Sequence, residues 1–261
     1  MELVSSLIFT AKRSVATCLS TFLRLAVRQS TDAGRIATFH AIETPVDGDV
    51  NGIYNMSMST FSSHIRAIRE FLHVNESLSV AQFGEYLSKS VSITFDDGYS
   101  STLTRAAPLL IEHSLPCHVF VSPSLIQSSD RRYLDPAQLR DLSQLPGFTI
   151  GAHGYHHVPL TSIPPSERLS QLSSARKWIE DTIQKSVDSM SYPFGDTPTG
   201  IQSMVRQAGY TVAACSKWGF NYDHTDRLML RRIDFWDGDS KYTATAKLLG
   251  HWNWMSRKSS S

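Results

Sequence analysis

From Ile36 onward, short apolar runs alternate with longer stretches whose apolar residues recur at helical spacing. A short apolar run bounded by polar or turn residues predicts a buried strand. Apolar positions at i, i+3, i+4 and i+7 predict a helix with one buried face. Strands are therefore expected over 36–39, 91–95, 118–121, 148–150, 189–192 and 210–214, and helices over 61–72, 103–113, 136–142, 167–183 and 201–208. Pro164 and Pro165 suit the start of the longest helix, because proline fits the first turn. Strand–helix alternation with short connections is the pattern of parallel βαβ units. Six or more such units build either a barrel or a long open sheet, and in both the functional groups gather beyond the carboxyl ends of the strands. No internal repeat or low-complexity tract interrupts the pattern, and the serine-rich end over 258–261 reads as a frayed tail.

The first 30 residues follow another rule. Val4, Leu7, Ile8, Ala11, Val15, Leu19, Phe22 and Ala26 recur at helical spacing, with Lys12, Arg13, Arg24 and Arg28 among them. The apolar run is too short and too charged to span a bilayer, and its charges lie inside the run rather than before it, unlike a signal peptide. Two readings stay open: a helix packed on the domain, and a cationic amphipathic helix lying on a membrane surface. The expected organisation is an N-terminal amphipathic helix over 1–30 and one main domain over 31–255.

Composition narrows the function classes. Lys plus Arg total 25 and Asp plus Glu total 24, so no global field exists to gather nucleic acid, and no nucleic-acid partner is expected. Cys18, Cys117 and Cys215 are far apart and odd in number. This argues against a disulfide framework or a thiolate zinc site and points to a reducing, cytoplasmic setting.

Two clusters carry candidate chemistry. The first is Thr94-Phe95-Asp96-Asp97-Gly98-Tyr99, where an apolar strand ends in adjacent carboxylates. Successive strand side chains point to opposite faces, so aiming both carboxylates at one site requires a turn, which Gly98 permits. Two close carboxylates are costly unless a cation sits between them or one is protonated. The second is His153-Gly154-Tyr155-His156-His157, directly after another expected strand. Two histidines four residues apart can reach one metal, and His156 is the spare. One Asp and two His leave positions open on a divalent ion for water and a substrate carbonyl, and the second Asp is free to act as general base. A surface Asp-Asp-Gly turn and structural histidines are the competing readings.

With Tyr192-Pro193-Phe194-Gly195 following in order, the chain resembles the polysaccharide deacetylases, the NodB-homology or carbohydrate esterase family 4. The segments 115–121, 147–153 and 206–210 resemble the family around those motifs, so that the likeness covers roughly residues 35–236. The resemblance implies a distorted (β/α) barrel of about seven parallel strands. It implies hydrolysis of the N-acetyl group of amino sugars in a polysaccharide or glycan, with a divalent metal, zinc by ligand type, and no organic cofactor. Asp97, His153 and His157 would hold the metal, Asp96 would be the general base, and the Phe194 backbone N–H would donate to the oxyanion.

Two features depart from the family pattern. Ser191 stands where the motif usually carries the arginine that orients the catalytic aspartate, and the late Leu-x-His segment that supplies the general acid is not evident. His251 is one stand-in. The preferred one is His40, in Ile36-Ala37-Thr38-Phe39-His40-Ala41-Ile42, which resembles the N-terminal Tyr-His-x-Ile segment of exopolysaccharide deacetylases with permuted motif order. In those proteins the last barrel strand has moved to the front and brings the acid with it. Asp234, in Arg232-Ile233-Asp234-Phe235-Trp236, is a candidate to orient that acid. An amide hydrolase acting on a small non-sugar substrate and a sugar-binding homologue without turnover remain the alternatives.

Overall fold

The structure is a computed structural model that describes residues 32–258; the amphipathic helix expected over 1–30, and the membrane contact read from it, lie outside them. Seven parallel strands close into a barrel: β1 (Arg35–Phe39), β2 (Ser90–Phe95), β3 (Cys117–Val121), β4 (Phe148–Ala152), β5 (Ser189–Ser191), β6 (Val212–Trp218) and β7 (Leu230–Asp234). Ala37 of β1 lies opposite Ile93 of β2 on one side and Ile233 of β7 on the other. The N-terminal strand is thus the one that closes the barrel, as the permuted motif order requires.

Around the barrel run α1 (Met58–Val74), α2 (Ala107–Glu112), α3 (Pro136–Gln144), α4 (Pro165–Ile183), α5 (Ile201–Gln207) and α6 (Lys241–Leu248). The first of these starts three residues before its expected boundary because the Ser57 hydroxyl accepts the Thr60 N–H and caps it. Its buried stripe, Phe61, Ile65, Ile68 and Phe71, faces the barrel. A π-helical turn over Thr102–Ala106 leads into α2.

The strands alternate between two cores. Outward positions such as Ala37, Ile93, Val119, Ile150 and Ile233 join the apolar layer under the helices. Inward positions Ile36, Phe120, Val212, Ala214 and Leu230 form a second cluster inside the barrel, closed by Phe83 and Leu87. Each of the larger of these side chains, the Val, Ile, Leu and Phe, contributes about 1.5–3 kcal/mol when fully buried relative to exposure.

Among the seven barrel strands and six helices named above, β7 and α6 go beyond the sequence reading. The strand alternates Leu230, Arg231, Arg232, Ile233, Asp234, and its charged inward positions hide it from a search for apolar runs. β4 also extends to Ala152, which brings the barrel wall up to His153.

Candidate active site

Because all seven strands run parallel, their carboxyl ends share one rim. His40 follows β1, Asp96 and Asp97 follow β2, His153 follows β4, Phe194 lies just after β5, and β7 contributes Arg232 and Asp234. They line one cavity of about 530 Å³, together with Tyr54, Tyr99, Tyr133 and Trp236.

The chain leaves β2 through two left-handed residues, Asp97 at φ 71° and Gly98 at φ 79°. This is the turn needed to bring both carboxylates to one site. His157 (φ 52°) and Phe194 (φ 56°) adopt the same conformation, which is sparsely populated for non-glycine residues and concentrates where geometry is imposed by function. Gly195 is required for contact rather than turn alone, since a Cβ there would lie 2.3 Å from the Ser216 Cβ.

Asp97 Oδ1 lies 3.3 Å from His153 Nε2 and 3.0 Å from His157 Nε2. One ligand atom from each of the three residues falls within 4.8 Å of the others. The Ser191 carbonyl, 2.9 Å from His153 Nδ1, can only accept, so that nitrogen carries the proton and Nε2 presents its lone pair to the cluster. The His153 backbone is fixed as well: its N–H donates to Val121, and its carbonyl accepts the Ser122 hydroxyl. This donor set, one carboxylate and two imidazoles with a tautomer already selected, fits a divalent transition metal. His156 is exposed beside the cluster.

Asp96 is 2% exposed. Burial alone would raise its carboxyl, but Arg232 outweighs that, and with help from His153 it holds the group at about 2. The guanidinium binds both carboxylate oxygens, Nη1 to Oδ1 at 2.7 Å and Nη2 to Oδ2 at 2.8 Å, while its Nε donates to the Cys215 carbonyl. Such a fork fixes orientation as well as charge. The Ser191 hydroxyl adds a bond to Oδ2 at 3.2 Å. The arginine absent at position 191 is therefore supplied by β7, 136 residues further along the chain than its partner. Sequence reasoning missed Arg232, although its place two residues before Asp234 on one strand face was a usable signal. Asp97 sits well below the usual carboxylate range, because His153 and His157, when their Nε2 atoms are protonated, donate to it and outweigh its burial.

His40 lines the cavity edge-on to Tyr54, with ring centroids 4.8 Å apart. Asp234 lines it too, its carboxyl pushed up by burial against the opposing charges of Arg232 and His40. His251 is buried after α6 and is not among the residues that line the cavity. Phe194, 63% exposed, stacks on the His157 ring at 4.8 Å. Tyr99 and Tyr133 form a stacked pair on the cavity wall.

A family model described as Polysaccharide deacetylase matches residues 84–213, a span that contains both the Asp96–Asp97 and the His153–His157 motifs. The chain belongs to the polysaccharide deacetylase family. A poly-beta-1,6-N-acetyl-D-glucosamine N-deacetylase of Staphylococcus aureus is 23% identical over 185 residues, 65% of this chain and 62% of that one. A Bacillus subtilis relative, YxkH, is 24% identical over 143 residues, 55% of this chain and 50% of that one. The chain thus spans between half and two thirds of the length of these two relatives. Among solved structures, IcaB from Ammonifex degensii aligns with a TM-score of 0.69 at 17% identity, covering 84% of this chain and 97% of that one. The Streptococcus pyogenes deacetylase PplD aligns at 0.69 and 15% identity, covering 83% and 98%. At these identities the structural likeness speaks for the deacetylase barrel alone.

Proposed function

We propose that this member of the deacetylase family hydrolyses the N-acetyl group of amino sugars in a polysaccharide, releasing acetate and a free amine. The observation that carries the reading is the convergence of Asp97, His153 and His157 beside a carboxylate, Asp96, that Arg232 clamps through both oxygens. A divalent ion bound by the Asp-His-His set, zinc by ligand type, would polarise the acetyl carbonyl and make water a better nucleophile.

The chain's own groups do the rest. Asp96, ionised and oriented, takes the proton of the attacking water. The Phe194 backbone N–H donates to the oxygen that becomes negative as the carbonyl carbon turns tetrahedral. His40 gives its proton to the leaving nitrogen, and the C–N bond breaks. Asp234, on the adjoining strand end, orients His40. Tyr54, Tyr99, Tyr133, Phe194 and Trp236 offer ring faces and edges to a sugar chain. Tyr54 and Phe194 are 42% and 63% exposed at the mouth, which suits a polymer better than a small amide held in a closed pocket. A poly-N-acetylglucosamine, the substrate in the name of the staphylococcal relative, is the first polymer to try. Acetate release from it should stop on chelation and return on adding back a divalent ion. Release unaffected by chelation would reject the metal-dependent reading.

A further inference from the structure

Lys247 is a fully buried cation on α6, and its contacts lead back to the cavity. Its ammonium sits among the rings of Trp236, Trp252, Trp218 and Phe235, at 3.7, 4.9, 5.3 and 5.8 Å from their centroids. It donates to the Asp234 carbonyl at 2.8 Å and to Asp239 Oδ2 at 2.5 Å. The same carboxylate oxygen accepts the Trp236 backbone N–H at 2.9 Å. Desolvating two charges offsets most of the attraction between them, and apolar residues of the same volume would serve stability as well. What the pair does that apolar residues could not is geometric: it pins the backbone on both sides of Phe235. The residues so pinned, Asp234 and Trp236, both line the cavity.

The same turn reaches the loop over His40. The Asp237 N–H donates to the Gly52 carbonyl, and the Asp237 carboxylate accepts the Ser57 N–H at 2.7 Å. Between those two anchors lies Tyr54, edge-on to His40.

We propose that Lys247, acting with Asp239, is a positioning residue of the active site. Held by these two charges, the turn after β7 sets Asp234 and Trp236 against His40 and the substrate amide. The inference rests on the deacetylase reading and adds a residue outside the cavity to it.

The test uses the full chain with its metal content measured and the substitution Lys247→Met, which keeps side-chain length without the charge. Two substrates are compared, N-acetylglucosamine oligomers and an activated acetyl ester whose leaving group needs no proton. Amide turnover should fall about tenfold to a hundredfold, since displacement of catalytic groups by about 1 Å has costs of that order. Ester turnover should stay within about threefold, because it does not draw on the acid, and metal content should not change. An equal fall on both substrates, or none on either, would overturn the proposal.

A crystal structure of the variant is the second arm. Asp234 and Trp236 should be displaced while the Asp96–Arg232 pair is intact, and an unmoved turn would overturn the proposal. Should Lys247→Met not accumulate as folded protein, Asp239→Asn is put through the same two arms with the same expectations. If the wild-type chain turns over neither substrate, the deacetylase reading fails by itself, and the crystallographic arm still decides whether Lys247 positions the turn.

Discussion

The two ends of the barrel are built from the same strands and could hardly differ more. Along β7 the inward positions read Leu230, Arg232, Asp234; along β1 they read Ile36, Thr38 and then His40; along β6, Val212, Ala214, Ser216. The amino end is an apolar plug closed by Phe83, Leu87 and Phe120. The carboxyl end holds buried charged and ionisable groups, Asp96, Asp97, His153 and Arg232. Stability and chemistry are thus separated by steps of two residues on one strand face. The apolar base holds the walls rigid, and that rigidity lets a rim of costly buried charges keep its geometry.

The contrast can be broken from either end. At the rim, His153→Ala should abolish both metal binding and acetate release, read as metal per chain by elemental analysis beside activity. Equal metal in variant and wild type would remove the site from His153. At the base, Phe120→Ala should cost about 3–5 kcal/mol of stability in urea unfolding, as large-to-small changes in a packed core do. The folded fraction should keep its turnover, and a selective loss of activity at full stability would blur the division between the ends.

The smallest effect sharpens the boundary between them. His118 lies inside the barrel with Nε2 2.7 Å from the Ser189 hydroxyl, and burial pushes its imidazole down to about 3. The unfolded chain takes up this proton near pH 6.5, whereas the folded chain refuses it until about pH 3. Stability tied to His118 is therefore whole above pH 6.5 and is lost as pH falls below it, on the order of 1.4 kcal/mol per pH unit. Between pH 7 and pH 5 the wild type should lose about 2 kcal/mol more than His118→Gln. Parallel losses in urea titrations would mean that the ring is hydrated in the folded chain.

The same contrast explains what could be read from the sequence. Strands whose outward face is wholly apolar, such as β2 with Val91, Ile93 and Phe95 and β3 with Cys117, Val119 and Val121, stand out, and the Asp96–Asp97 motif that follows β2 is local enough to read directly. The strand β7 escaped because its inward face is charged, and α6 carries only a weak apolar stripe. Arg232 escaped for a further reason: its link to Asp96 exists only once the barrel has closed, and no local spacing encodes a contact between strands so far apart in the chain. Ser191 at the usual arginine position marked a vacancy without showing what fills it. The turn around Lys247 is equally nonlocal, since its meaning lies in the carbonyl and rings that it meets after folding.

The central claim is that a clamped carboxylate works beside, and separately from, an Asp-His-His metal set. Acetate release from an N-acetylglucosamine polymer by metal-loaded Asp96→Asn, set against metal-loaded wild type, tests it most directly. The account predicts equal metal in the two proteins and turnover lower by about 10²–10⁴-fold in the variant, the range for removing a general base. Wild-type turnover in Asp96→Asn, or loss of the metal together with the activity, would contradict it.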